Sequence, residues 1–250
     1  SVNDIKLFMG TLLLLGSNAD VGQACAYRFA KEGYNILLAA RTIDDYQKKL
    51  ASDIAIRHNV KVENVRFDAL QTAEHKAFYE SLSIAPDVVV SVFGYLGNHE
   101  KGLAEFEEAK LIIDSNFTGN VSILGIIANA MEAKKQGSIV CVSSVAGERG
   151  RKSNYLYGAS KAALTAFLSG LRGRMFVSNV HVATVIPGFI KTKMVADLPP
   201  TPKPITASAE QVADAIWKAF SKKKDVVYVL PVWWLIMFII KSIPEALFKK

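Results

Sequence analysis

The stretch "SNYLYGASKAAL", residues 153 to 164, sets a tyrosine four residues ahead of a lysine where an alanine-rich helix begins. Two tyrosines compete there, Tyr155 and Tyr157. Only Tyr157 has a basic residue, Lys161, one helical turn further on, where an ammonium lies beneath a phenol on one face. The chemistry open to such a pair is proton transfer. A phenol titrates near 10, so acting as acid and base near neutrality needs a downward shift of roughly three units, about 4 kcal/mol in favour of the phenolate. Nearby positive charge can supply it. The competing account is a solvated pair on a helix surface, a common arrangement.

Other stretches hold groups suited to a phosphorylated ligand. The first apolar run ends in "LGSNADVGQA", from Leu15. Gly16 lets the chain turn tightly, and Gly22 sits at the start of the next helix, whose free N–H groups and dipole favour a pyrophosphate. Asn18 and Val21 are candidates in the same turn; the alternative is a simple packing turn. After the second run comes Ala40 and then Arg41. A dinucleotide fold that prefers the unphosphorylated cofactor carries an acid there to hold the ribose hydroxyls. Here no carboxylate repels a 2′-phosphate and a guanidinium can pair with it, so NADP(H) is favoured, with NAD as the alternative. Otherwise Arg41 is a solvated loop residue. Asp68, after the third run, can accept a hydrogen bond from an adenine amino group or cap the following helix.

The elements that would position these groups alternate. Short apolar runs begin at Thr11, Asn35, Val62, Asp87, Ser138, His181 and Val226, and helical patterns start near Val21, Asp44, Thr72, Glu105, Tyr157 and Ser208. That alternation predicts one α/β domain over residues 1–250, doubly wound and Rossmann-type, with a seven-stranded parallel sheet. The longest irregular connection, 187–207, contains "LPPTPKP" and follows a strand's carboxyl end, where open α/β sheets bind ligands; it is expected to be a substrate lid. The chain of 250 residues carries a net charge of +7, but its basic residues are dispersed, which excludes a nucleic-acid stripe and leaves a phosphorylated cofactor or an acidic membrane surface. Cys25 and Cys141 fall in apolar patterns and read as reduced packing residues, with no metal cluster. Asp4 and Lys6 interrupt the start, so no signal peptide is expected and the chain reads as cytoplasmic.

Together with "DSNFTGN", "CVSSVAGERG", "YGASK" and "VIPGFIKT", these features resemble the short-chain dehydrogenase/reductase superfamily across the whole chain. The most specific element is the order of serine, tyrosine and lysine, with Ser144 thirteen residues before Tyr157. The resemblance implies a catalytic set of Asn116, Ser144, Tyr157 and Lys161, with Ser144 chosen over Ser143. It implies a cofactor turn at Pro187 and Gly188, a nicotinamide contact at Thr192, and dinucleotide contacts from Gly94, Tyr157 and Lys161. Ser144 would hold the substrate oxygen beside the tyrosine, and Asn116 would interrupt its helix and bind a water leading to Lys161.

The chain also departs from the family pattern: Asp20 replaces a glycine and is expected to turn outward, Leu15 replaces a threonine, and "SVFG" replaces the segment after the fourth strand, keeping only Gly94. "FGYLGN" and "IPGFIKTKM" look like segments of actinobacterial decaprenylphosphoryl-2-keto-pentose reductases. That resemblance implies a lipid-linked keto sugar; a soluble carbonyl compound such as a 3-oxoacyl thioester is the alternative. A dinucleotide-binding sensor or scaffold without turnover is a third reading. Arg149, Arg151 and Lys152 could meet a substrate phosphate or form a solvated loop.

The apolar C-terminal extension 231–250 overlaps an uncharged run, Val226 to Ile240, that as a helix would reach only about 22 Å, short of a bilayer's roughly 30 Å. It is expected to divide into a strand ending at Leu230 and a short helix from about Trp233 to Lys241. Its paired tryptophans suit either a peripheral contact with the inner face of the membrane or an interface in a homo-oligomer.

Overall fold

Runs that are apolar at every position suit strands covered on both faces. The computed structural model describes residues 10–192 and 201–249. Its strands are β1 (Thr11–Leu15), β2 (Asn35–Ala40), β3 (Val62–Arg66), β4 (Val88–Ser91), β5 (Gly137–Val142), β6 (Val180–Ile186), β7 (Phe189–Ile190), β8 (Thr206–Ala207) and β9 (Val226–Tyr228). Seven of them form one parallel sheet in the order β3-β2-β1-β4-β5-β6-β9. The helices are α1 (Asp20–Lys31), α2 (Asp45–His58), α3 (His75–Glu80), α4 (His99–Ala104), α5 (Phe106–Ile113), α6 (Gly119–Lys134), α7 (Tyr155–Phe176), α8 (Ala209–Ser221), α9 (Val232–Ser242) and α10 (Glu245–Phe248). This is the expected doubly wound, Rossmann-type α/β fold. The strand order reverses between β1 and β4, which opens a crevice at the carboxyl ends of the strands.

Alternation along β1 divides the core. Leu12 and Leu14 join α1, α2 and α8 on one face through Phe29, Ile54, Val212 and Ile216. Leu13 and Leu15 join α6 and α7 on the other through Ile123, Ile127, Leu164 and Leu168. Both cysteines are buried and unpaired within these layers. A tether also ties α1 to α2: the Tyr27 hydroxyl donates to Asp53 at 2.5 Å. Burial first, and then this bond to a carboxylate, push the Tyr27 phenol up from 10.0 to about 12. A phenol held neutral in the fold stabilises it fully below pH 10, and that contribution disappears as pH rises towards 12. Alkaline unfolding should therefore steepen between those values, and Tyr27→Phe should flatten that limb in a pH series of denaturant midpoints.

Three features depart from the expected elements. The 187–207 connection is not wholly irregular: β7 and β8 pair in parallel as a second, two-stranded sheet, with Phe189 beside Thr206 and Ile190 beside Ala207. Two-residue strands are too short to show periodicity. The nominal lid also includes residues 193–200, which lie outside the described residues. Helix α4 is an addition, capped by Asn98, whose side chain accepts from the Lys101 N–H. The helix expected from Glu105 continues through a π-helical turn, Asp114–Thr118, into α6.

Candidate active site

The crevice is shaped by close backbone approaches. Gly16, just past β1, has φ +97°, and a Cβ there would stand 2.8 Å from the Phe93 nitrogen. A Cβ on Gly22 would meet the Gly16 carbonyl at 2.4 Å, so the first turn of α1 rests directly on the glycine turn. The N-cap residue of α1 is Ala19, which makes no side-chain cap bond. The first residues of the helix, Asp20 and Val21, line the smaller of the two cavities described next, and a helix N-terminus favours an anion.

Two adjoining cavities of about 430 and 210 Å³ share Asn18, Ala19, Val92 and Gly94. The larger also holds Gly16, Arg41 and Asp68, and Asp68 is the only carboxylate among its lining residues. Asp68 accepts from the Leu70 N–H through its side chain, and its carbonyl lies 2.9 Å from the His75 Nε2. The smaller cavity brings together Val21, Ser144, Tyr157, Lys161, Pro187, Gly188 and Thr192. Asp20 stands half-buried at its edge.

Tyr157 and Lys161 share a face of α7, with the ammonium 5.7 Å from the ring centroid. Lys161 is 4% exposed, and its Nζ donates to the Val142 carbonyl at 3.2 Å. Tyr155 points elsewhere: it is exposed and meets the His99 ring edge-on at 4.6 Å. The adjacent serines separate in the same way. Ser143 is turned into the protein, its hydroxyl donating to the Lys161 carbonyl and lying 2.6 Å from the Thr165 hydroxyl. Ser144 is extended, and its Oγ accepts the Ala146 N–H at 3.1 Å. Glycines bring this turn against α7. A Cβ on Gly147 would lie 2.6 Å from the Ala162 nitrogen, and one on Gly158 would lie 2.7 Å from the Ala146 carbonyl.

Asn116 interrupts its helix at the π-turn, as expected, and is fully buried. Its amide is bound to main chain: Nδ2 donates to the Tyr95 and Ile112 carbonyls at 2.6 and 2.8 Å, and Oδ1 accepts the Tyr95 N–H at 3.2 Å. Its reach towards Lys161 runs past Gly94, where a Cβ would stand 2.6 Å from Asn116 Oδ1 and 3.5 Å from Lys161 Nζ.

Glu108, which the sequence did not single out, secures the same loop. Its Oε1 accepts the Tyr95 hydroxyl at 3.0 Å and the Asn98 N–H at 2.9 Å. The bond to this carboxylate raises the Tyr95 phenol above its ordinary range. Glu108→Ala strands both donors, so a loss of about 1–3 kcal/mol in stability is expected, read from the denaturant midpoint. Cofactor affinity should fall with it, because Tyr95 borders the larger cavity.

The short chain dehydrogenase profile matches residues 11–203. The chain belongs to the short-chain dehydrogenase/reductase family. An uncharacterised oxidoreductase of Mycobacterium tuberculosis is 32% identical over 221 residues, 87% of each chain. A 3-oxoacyl-[acyl-carrier-protein] reductase of Aquifex aeolicus is 30% identical over 201 residues, 78% of this chain and 79% of that protein. In fold, a short-chain dehydrogenase from Sphingobium yanoikuyae in complex with NADPH gives a TM-score of 0.78 over 94% of this chain and 97% of that one, at 21% identity.

In this short-chain dehydrogenase the basic loop after β5 departs from both readings open to it, a substrate phosphate contact and a solvated loop. Arg149 donates to the Ile240, Lys241 and Ile243 carbonyls at 3.2, 3.1 and 2.9 Å and pairs with Glu245, so it caps α9. Arg151 lies against Met237. Of the three, Lys152 is left exposed. Of the paired tryptophans expected at an outer contact, Trp233 is instead buried and fills the space beside Gly188. A Cβ on that glycine would fall 1.9 Å from the indole.

Proposed function

We propose that this oxidoreductase interconverts a ketone and a secondary alcohol, with NADPH as its preferred partner and NADH as the alternative. The observation that carries the reading is that Ser144, Tyr157 and Lys161 border one cavity, which adjoins the groove containing Gly16 and Arg41. The groove fits a dinucleotide: a Cβ would fill the cradle at Gly16, and α1 starts beside it from Ala19, which makes no side-chain cap bond. Gly16, Asn18, Val21 and Gly22 would receive the pyrophosphate, Arg41 the 2′-phosphate, and Asp68 the adenine. Gly94, Pro187, Gly188 and Thr192 would hold the nicotinamide end. When bound, the reduced nicotinamide supplies hydride to the carbonyl carbon.

The chain's own residues manage the proton. Tyr157 gives its hydroxyl proton to the substrate oxygen during reduction and takes it back during oxidation. Lys161, anchored on the Val142 carbonyl, keeps its ammonium 5.7 Å from the centre of the Tyr157 ring, whose hydroxyl carries the proton. The Ser144 oxygen is occupied by the Ala146 N–H, which leaves its proton to donate to the same substrate oxygen. Asn116 positions Gly94 by gripping Tyr95.

The substrate reading is a lipid-linked carbonyl such as a polyprenyl-phosphate keto sugar, handled by a cytoplasmic protein at the inner face of the membrane. It is supported by the apolar helix α9, whose Trp233 packs against Gly188 at the cleft. A soluble 3-oxoacyl thioester is the second reading, supported by the Aquifex aeolicus relative. NADPH oxidation with each class, with and without detergent, tests both. Detergent-dependent turnover of lipid extracts supports the first, and turnover of the thioester alone supports the second.

A further inference from the structure

Helix α9 has two apolar faces, and only one is used inside the fold. Trp233 and Met237 are buried with Val145 and Ile186, and the Trp233 indole donates to the Ile205 carbonyl at 3.0 Å. The same ring lies against Gly188 and meets Phe189 edge-on at 5.4 Å. The helix is thus seated at the edge of the smaller cavity, on the turn that contains Pro187 and Gly188. The other face carries Trp234, Leu235, Phe238 and Ile239, each at least half exposed, with Trp234 and Phe238 stacked 5.8 Å apart. Val232 and, on α10, Leu247 extend it.

This face is held rigidly in place. Besides capping α9, Arg149 stacks on Phe248 at 4.2 Å with its side chain 15% exposed. Lys241 pairs with Glu148 at 3.2 Å, and Glu148 also accepts the Tyr228 hydroxyl.

The surrounding charge indicates what covers the face. Lys152 follows the loop that touches Met237, Lys191 follows β7, Lys203 begins the turn ending at Ile205, and Lys249 follows α10; all four are exposed. The acids on these same elements, Glu148 and Glu245, are already ion-paired. A two-fold pairing of this face with a second copy would bring basic rims together, which is unfavourable. An apolar helix face on a part of the fold whose neighbouring segments expose lysines fits an anionic bilayer surface. At eleven residues, about 16 Å, α9 can lie in that surface but cannot cross it.

We propose that the exposed face of α9 docks the protein on anionic lipid, presenting the mouth of the smaller cavity to the bilayer. The inference deepens the lipid-linked substrate reading, and its meaning for catalysis rests on that reading. Its test requires no turnover, so docking and substrate assignment can fail separately. The full chain is sedimented with vesicles of phosphatidylcholine alone or mixed with phosphatidylglycerol, at low and high salt. Binding to the mixed vesicles is expected, weakened by salt and lowered on the order of tenfold by Lys152→Glu with Lys203→Glu. Trp234→Ser with Phe238→Ser should abolish it while NADPH binding remains. Failure of the wild-type chain to sediment with mixed vesicles overturns the proposal. So does a dimer in light scattering that this serine pair dissolves while vesicle binding is unchanged.

Discussion

Tyr157→Phe should lower turnover by about 10²–10⁴-fold, the range lost with a general acid, while NADPH still binds. The ring of Phe fills the same place above the Lys161 ammonium, so the change removes one proton-carrying oxygen and little packing. Tyr155→Phe serves as the matched control. Tyr155 is exposed and packs on His99, so its hydroxyl can be lost with turnover intact. Stopped-flow NADPH oxidation and a fluorescence titration of NADPH separate chemistry from binding. Equal losses in the two variants would remove the assignment of Tyr157.

Arg41→Asp should reverse cofactor preference. Arg41 lies on the larger cavity just beyond β2, where a charge-assisted pair with a 2′-phosphate is worth about 1.5–3 kcal/mol, or roughly 10- to 150-fold in affinity. Aspartate at this position repels that phosphate and can instead accept from ribose hydroxyls, so NADPH should weaken while NADH tightens. Arg41 is exposed, so the substitution leaves the fold undisturbed. An unchanged ratio of the two dissociation constants would contradict the assignment of Arg41.

Much of this arrangement is legible in the sequence because the informative signals are local. Four consecutive leucines in β1, Leu12 to Leu15, can be buried on both faces only within a covered parallel sheet, and the four-residue interval from Tyr157 to Lys161 determines their shared face. What escaped depends on partners distant in the chain. Arg149 reads as a free cation until the carbonyls ending α9, more than ninety residues later, are seen to take its donors. Trp233 reads as part of an apolar tail, yet its ring occupies the space above Gly188. The β7–β8 pair has two residues per strand and therefore no period to detect. Glu108 sits in a segment with other acids, and only the folded loop shows that it alone receives the Tyr95 hydroxyl and the Asn98 N–H.

The central claim is that hydride moves between a nicotinamide and a carbonyl carbon held beside Tyr157. Its most direct measurement is single-turnover reduction of a carbonyl substrate with NADPH deuterated at the transferring carbon, followed by mass spectrometry of the product. Deuterium is expected on the carbinol carbon of the alcohol, and none in the Tyr157→Phe protein over the same interval. Binding of NADPH with no labelled alcohol from any carbonyl class would contradict it and leave a dinucleotide-binding sensor or scaffold in its place.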